Sequence, residues 1–190
     1  QAGRKQIIHS GSYGFVEDKP QFHVDSFTVQ CWVWPTTPKT HPKYWKHGAQ
    51  GLVTKWHDNK GFGLFVNEDG CAELRINGEK ITTGAPLRDH AWHFIAASYD
   101  AATGEATLYH EPQINYALDP VIEPVTAKVS GGVKHDNSPV VLAGYTGSHS
   151  DDPTAQSSVP AGIVINGHYN GKLDDPRICN RALNRAEIEE

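Results

Sequence analysis

"SFTVQCWVWP", residues 26–35, decides how the rest of the chain is read. Successive side chains of a strand point to opposite faces, so Phe27, Val29, Cys31 and Val33 share one face. Trp32 and Trp34 take the other. A strand apolar on both sides belongs in the middle of a sheet. Pro35 then ends it, because proline has no N–H to donate to a ladder.

The pattern extends in the C-terminal direction. "GLVTKW" (51–56), "GFGLFVN" (61–67) and "CAELRIN" (71–77) are further short runs, and the last two lead into the turn signals "NEDG" and "NG". This predicts an antiparallel meander. "AWHFIAASYD" (91–100) and "GEATLYH" (104–110) form another hairpin through residues 101–104. From Glu111 to Asn137 the pattern is irregular and broken by Pro112, Pro120 and Pro124. "PVVLAGY" (139–145) predicts a buried strand, residues 146–162 a long polar loop, and "NGKLDDPRI" (170–178) the last strand. The ending differs. Asn184 and Glu187 have capping-box spacing, and Leu183 and Ile188 have that of a hydrophobic staple, which predicts a short helix docked on the strands.

Composition narrows the function classes. With 190 residues and no internal repeat or composition shift, residues 1–190 are expected to form a single domain. Seventeen basic against 22 acidic side chains, with no Lys/Arg run, argue against a nucleic-acid partner. No apolar stretch is long enough to span a bilayer, and residues 1–10 lack a signal-peptide pattern. No membrane partner is expected. The absence of any Met reads as a piece excised from a longer protein. Cys31, Cys71 and Cys179 are an odd set without CxxC spacing, so reduced structural thiols and a cytoplasmic setting are expected.

About ten short, mostly hairpin-connected strands argue for an all-β, two-sheet antiparallel sandwich. "GSYGFVED", "FTVQCWVWP", "GLVTKW…GFGLFVNEDG", "WHFIAASYDAATGEATLYH" and "NGKLDDPRICNRALNRAEI" occur in the order of a laminin-G-like, concanavalin A-like jelly roll, which the chain resembles over nearly its whole length. One stretch departs from that pattern. Where most such modules turn tightly after "LY", this chain continues "LYHEPQINYALDP". With "WPTTP" and "HYNGKLDDPR", the insertion resembles the module in the large subunit of N,N-dimethylformamidase-type amide hydrolases. That resemblance implies a bacterial cytoplasmic enzyme of large and small subunits that hydrolyses small N-substituted formamides. Its iron centre, with Tyr and Glu ligands, would lie in a separate catalytic domain, and none of those ligands maps onto a position here. The expected partners are that catalytic domain and the small subunit.

The chain itself offers little chemistry. Eleven histidines show neither HExxH nor helical pair spacing, and scattered strand-end histidines are the plain reading. "HSGSYG" (9–14) lacks the G-x-S-x-G elbow, and the serines at 148, 150, 157 and 158 have no recognisable base. "EIEE" (187–190) is the only close acidic cluster, and it falls on the helix rather than along a strand face. No catalytic residue is expected, and no cofactor is required.

Two binding readings remain. Trp34, Tyr44, Trp45 and Trp56 would either stack on the sugar rings of a glycan, as in a lectin-like module of a secreted or surface enzyme, or be buried against a neighbouring domain. In the jelly-roll family the aspartate after the "NGK-hydrophobic" run sometimes helps to hold structural calcium, which makes Asp174 the candidate metal ligand. Otherwise Asp174 accepts backbone N–H bonds across the sandwich edge, while Asp175-Pro176 bends the strand.

Overall fold

In the computed structural model, residues 12–39, 48–147 and 164–190 are described. Among them thirteen strands pair into two sheets. The first contains β1 (Gly14–Val16), β3 (Gln50–His57), β4 (Lys60–Val66), β5 (Cys71–Ile76), β6 (Glu79–Pro86), β10 (Val140–Leu142), β11 (Tyr145–Gly147) and β12 (Val164–Asn166). Its main path runs β1-β10-β3-β4-β5-β6, with β11 beside both β3 and β12. The second, in the order β13-β2-β7-β8-β9, contains β2 (Phe27–Pro35), β7 (His93–Asp100), β8 (Glu105–Pro112), β9 (Val125–Lys128) and β13 (Gly171–Cys179). Pairing is antiparallel except for one parallel bridge, Thr146 with His57. The predicted two-sheet sandwich is therefore what the chain forms.

The alternation in β2 does what its spacing predicts. Phe27, Val29, Cys31 and Val33 are all fully buried between the sheets, and the strand is flanked by β13 and β7. Leu52, Val53, Phe62, Leu64, Leu74 and Ile76 of the facing sheet complete the core with Ile95, Tyr99 and Leu108. The Phe27 and Phe62 rings stack across the two sheets at 4.0 Å. Burying side chains of this size contributes roughly 1.5–3 kcal/mol each, so this shared core holds the sheets together.

Four strands lacked a sequence signal. β6 reads "EKITTGAP" and β9 "VTAK", both too polar to show a clear alternation, and β1 and β12 are three residues each. "PVVLAGY" is not one strand. It breaks between β10 and β11 at Ala143, whose φ is 60°. The break lets the Gly144 carbonyl approach β3 so closely that a Cβ at Gly51 would collide with it, which is why a glycine stands at Gly51. The predicted loop begins later than expected, since Thr146 and Gly147 are in β11. Most of it lies outside the described residues.

The closing helix, α1 (Arg185–Ile188), is present with its complete box: Asn184 accepts from the Glu187 amide, and the Glu187 carboxylate accepts from the Asn184 amide. Ile188 is buried and Leu183 half-buried. A helix of one turn forms because it is capped and docked, not through its own propensity.

Candidate functional site

Trp34 and Trp56, the two candidate aromatics among the described residues, do not form one site. Trp34 lies on the outer face of the five-stranded sheet, half-buried, edge-on to His90 at 5.0 Å and with Lys172 Nζ 4.6 Å from its ring centroid. Trp56 lies on the opposite side of the molecule, on the outer face of the eight-stranded sheet, because Leu52 and Val53 of β3 face the core and Trp56 does not. One ligand cannot stack on both. Tyr44 and Trp45 lie outside the described residues, as do His41 and His47.

Around Trp56 the outer face is already packed. Trp56, Phe65 and Tyr145 meet at centroid distances of 5.5–5.8 Å, and the Trp56 indole N–H donates to the Asn77 carbonyl at 2.9 Å. The Arg75 guanidinium lies 4.2 Å from the Phe65 centroid and is held at 2.7 Å by the Glu73 carboxylate. Trp56 is 8% exposed and Phe65 0%, so neither offers a free ring face to a sugar. This arrangement is a cation–π and ion-pair cluster that stiffens the sheet.

Folding brings four of the histidines into pairs. His93 Nδ1 and His110 Nε2 are 2.9 Å apart, both side chains are 2% exposed, and His93 Nε2 lies 3.0 Å from the Arg88 carbonyl. Burial lowers the pKa of both, that of His110 to about 4, with the His93 ring adding to the effect at His110. His23 stacks on His135 at 5.1 Å, and its Nε2 lies 3.0 Å from Asp18. Asp18 also pairs at 2.8 Å with Lys55, whose ammonium, almost fully buried, donates to the Ser138 and Asp136 carbonyls. Burial raises the Asp18 pKa, but the hydrogen bonds from Lys55 and His23 outweigh it and hold the carboxyl below its ordinary value. Every donor of Lys55 is occupied, so it works as a staple between β3 and two loops.

Asp174 is exposed at a bulge, where the β13–β2 register shifts between Asp174 and Arg177. Its carboxylate accepts from the next amide, Asp175 N–H, at 2.9 Å. The bond is therefore local and does not cross the sandwich edge as expected. Asp175, with φ 47°, is paired with Arg177 at 2.7 Å. Among the described residues no group of three or more His, Cys, Asp or Glu side chains could hold a metal ion.

The feature that remains is the insertion. Between β8 and β9, residues 113–124 project Ile114, Tyr116, Leu118 and Val121 into solvent, with Leu118 98% exposed. Behind them lies a groove of about 520 Å³ floored by Tyr109 and Pro112 and bounded by Arg185 of the closing helix. That helix is tied to β8 by Arg185 and Glu111 at 3.0 Å. The departure of "HEPQINYALDP" from a tight turn was the sequence signal for this surface.

Comparison with known proteins agrees with this architecture. Over 98% of its length the chain is 26% identical to the N,N-dimethylformamidase beta subunit of Alcaligenes sp, and over 85% it is 27% identical to that of Paracoccus aminophilus. Both relatives are called beta subunits, a name that carries no statement of subunit size. The chain spans only 24% and 21% of their lengths. Among solved structures, the CBM40 of the Ruminococcus gnavus IT-sialidase, bound to α2,3 sialyllactose, superposes with a TM-score of 0.63 over 96% of this chain and 92% of that one, at 13% identity. A putative carbohydrate-binding protein from Bacteroides ovatus gives 0.62 over 94% and 44%, at 12% identity. Those likenesses establish the fold alone. The family description Laminin_G_3, of the Concanavalin A-like lectin/glucanases superfamily, matches residues 9–111, more than half of the chain, and it is to this family that the chain belongs.

Proposed function

We propose that this chain is a non-catalytic structural and interaction module of a larger, cytoplasmic amide hydrolase of the N,N-dimethylformamidase type, carried on the larger subunit. The observation behind this reading is that 98% of the chain aligns with 24% of a dimethylformamidase subunit. The whole sandwich thus corresponds to one part of a much longer polypeptide. Its partners are the catalytic domain and the small subunit, and iron is held outside this chain. The packed ring faces at Trp56 weigh against sugar stacking there.

The test is dimethylamine release from dimethylformamide. The purified 190-residue chain stays at the buffer blank with and without ferrous iron, while the intact polypeptide encoded by its gene, with its small subunit, turns over. Turnover by the chain alone, or none by the intact assembly, would overturn the reading.

A further inference from the structure

Apolar exposure on this molecule is concentrated. Of the six large hydrophobic side chains exposed among the described residues, four (Ile114, Tyr116, Leu118 and Val121) fall within eight positions of the insertion. A single exposed leucine needs no explanation, but a contiguous cluster of this kind marks an interaction surface.

The loop is held in shape although its tip makes little contact with the sandwich. The Gln113 amide donates to the Trp92 carbonyl, and Tyr116 and Asp119 close a turn in which each amide is satisfied by the other residue at 2.9 Å. Arg88 grips that turn from the sandwich. Its guanidinium donates to Asp119 Oδ2 at 2.8 Å and lies 4.8 Å from the Tyr116 ring centroid. Pro120 and Pro124 restrict the return leg. A surface fixed in this way loses little conformational entropy on docking.

We infer that the 113–124 loop and the groove behind it are the docking surface through which this sandwich binds an apolar protein surface in the remaining polypeptide of the longer enzyme. This rests on the proposed function above. About three quarters of each relative's length lies outside the part that this chain matches, so there is a large neighbour for it to meet. The chemistry of the loop selects the same occupant. Leu118 and Val121, the most exposed of the four, are aliphatic and give a sugar ring no face to stack on, and Arg88 takes one face of the Tyr116 ring. Glu111, Asp119 and Glu123 border the patch, with Arg185 and Arg88 paired to the first two, so on a chain of net charge −5 the patch has no excess of positive charge to hold it to an anionic lipid surface. The groove, at about 520 Å³, has room for apolar side chains of the partner.

Amide hydrogen exchange on the intact polypeptide and on the 190-residue chain, side by side, tests the inference. Residues 113–124 should exchange at least about tenfold more slowly in the intact polypeptide, and Leu118→Asp with Val121→Asp should abolish that difference. Both side chains are exposed, so the unfolding midpoint of the short chain should be unchanged by the pair of substitutions, which separates lost docking from lost folding. Equal exchange in the two wild-type forms would overturn the inference. So would dimerisation of the short chain that Leu118→Asp disperses, or co-sedimentation of the short chain with phosphatidylglycerol vesicles. Loss of amide hydrolysis by the unsubstituted intact assembly would instead sink the proposed function, and the exchange comparison would still report on docking.

Discussion

Thr28 and Leu183, 155 residues apart in sequence, are joined through one hydroxyl. Thr28 Oγ1 accepts from the Leu183 amide at 2.8 Å and donates to the Arg181 carbonyl at 2.8 Å. Thr28 is fully buried. The chain leaving β13 is thereby pinned to β2 just before the helix begins, and Ile188 comes down on the outer face of the same sheet beside Trp32 and Phe94. Thr28→Val keeps the shape and strands both backbone groups, which should cost about 1–3 kcal/mol in urea unfolding.

The helix itself gives a graded pair. Asn184→Ala removes the cap acceptor and should cost about 0.5–2 kcal/mol. Ile188→Ala should cost more, about 2–5 kcal/mol, because it opens a cavity under a buried side chain. Unchanged midpoints for both would mean that the tail contributes nothing to stability.

The His93–His110 pair sets a pH dependence. In the folded chain burial lowers the pKa of both rings below the ordinary histidine value of 6.5, that of His110 to about 4. In the unfolded chain both protonate near 6.5, so the unfolded state binds more protons between these limits. The stabilisation is complete above pH 6.5 and is lost as pH falls towards 4, at about 1.4 kcal/mol per pH unit for each fully titrating ring. Urea midpoints measured from pH 7 to 4 should fall, and His110→Gln should flatten the slope.

Arg75 and Glu73 should behave as a unit. Arg75→Ala leaves the 5%-exposed Glu73 carboxylate without its cation and strips the lid from Phe65, at a cost of about 3–5 kcal/mol. Replacing both, Arg75→Met with Glu73→Gln, should recover much of that loss. A double variant as unstable as the single one would show that the ion pair is not the source.

Which parts of this molecule were legible beforehand follows from the periods involved. β2, β3, β4, β5, β7, β8 and β13 carry apolar alternation or sharp turn signals, and each appears within a few residues of its expected place. Asn184 and Glu187 carry a local code, and local codes survive folding. The orientation of Trp56 was not legible, because the bulge at Gly51/Val53 puts both Leu52 and Val53 in the core and resets the faces that follow. The same reset places Lys55 on the inner side, where only distant residues (Asp18, Asp136 and Ser138) make its burial tolerable. Ala143 in the left-handed region left no mark on composition, so one apparent strand became two.

Asp174 gives a further measurement. Its carboxylate is satisfied by the Asp175 amide in an exposed turn, so added calcium or EDTA should leave the melting temperature unmoved. A calcium-dependent rise that vanishes in Asp174→Asn would make it an ion ligand after all.

The bulge beside it has a further effect. Among the described residues β13 is the last strand of its sheet, and one side of its backbone faces no neighbouring strand. Sheet margins of that kind recruit strands from other molecules, which is how β proteins begin to aggregate. Asp175 in a left-handed conformation and Pro176 without an N–H interrupt the margin at its middle, and Lys172, Asp174 and Arg177 line it with charge. At the opposite margin β9 is only four residues long. A variant with Asp175-Pro176 replaced by Thr-Val would offer a straighter, stickier ribbon, and light scattering on heating should rise in it well before it does in the natural chain.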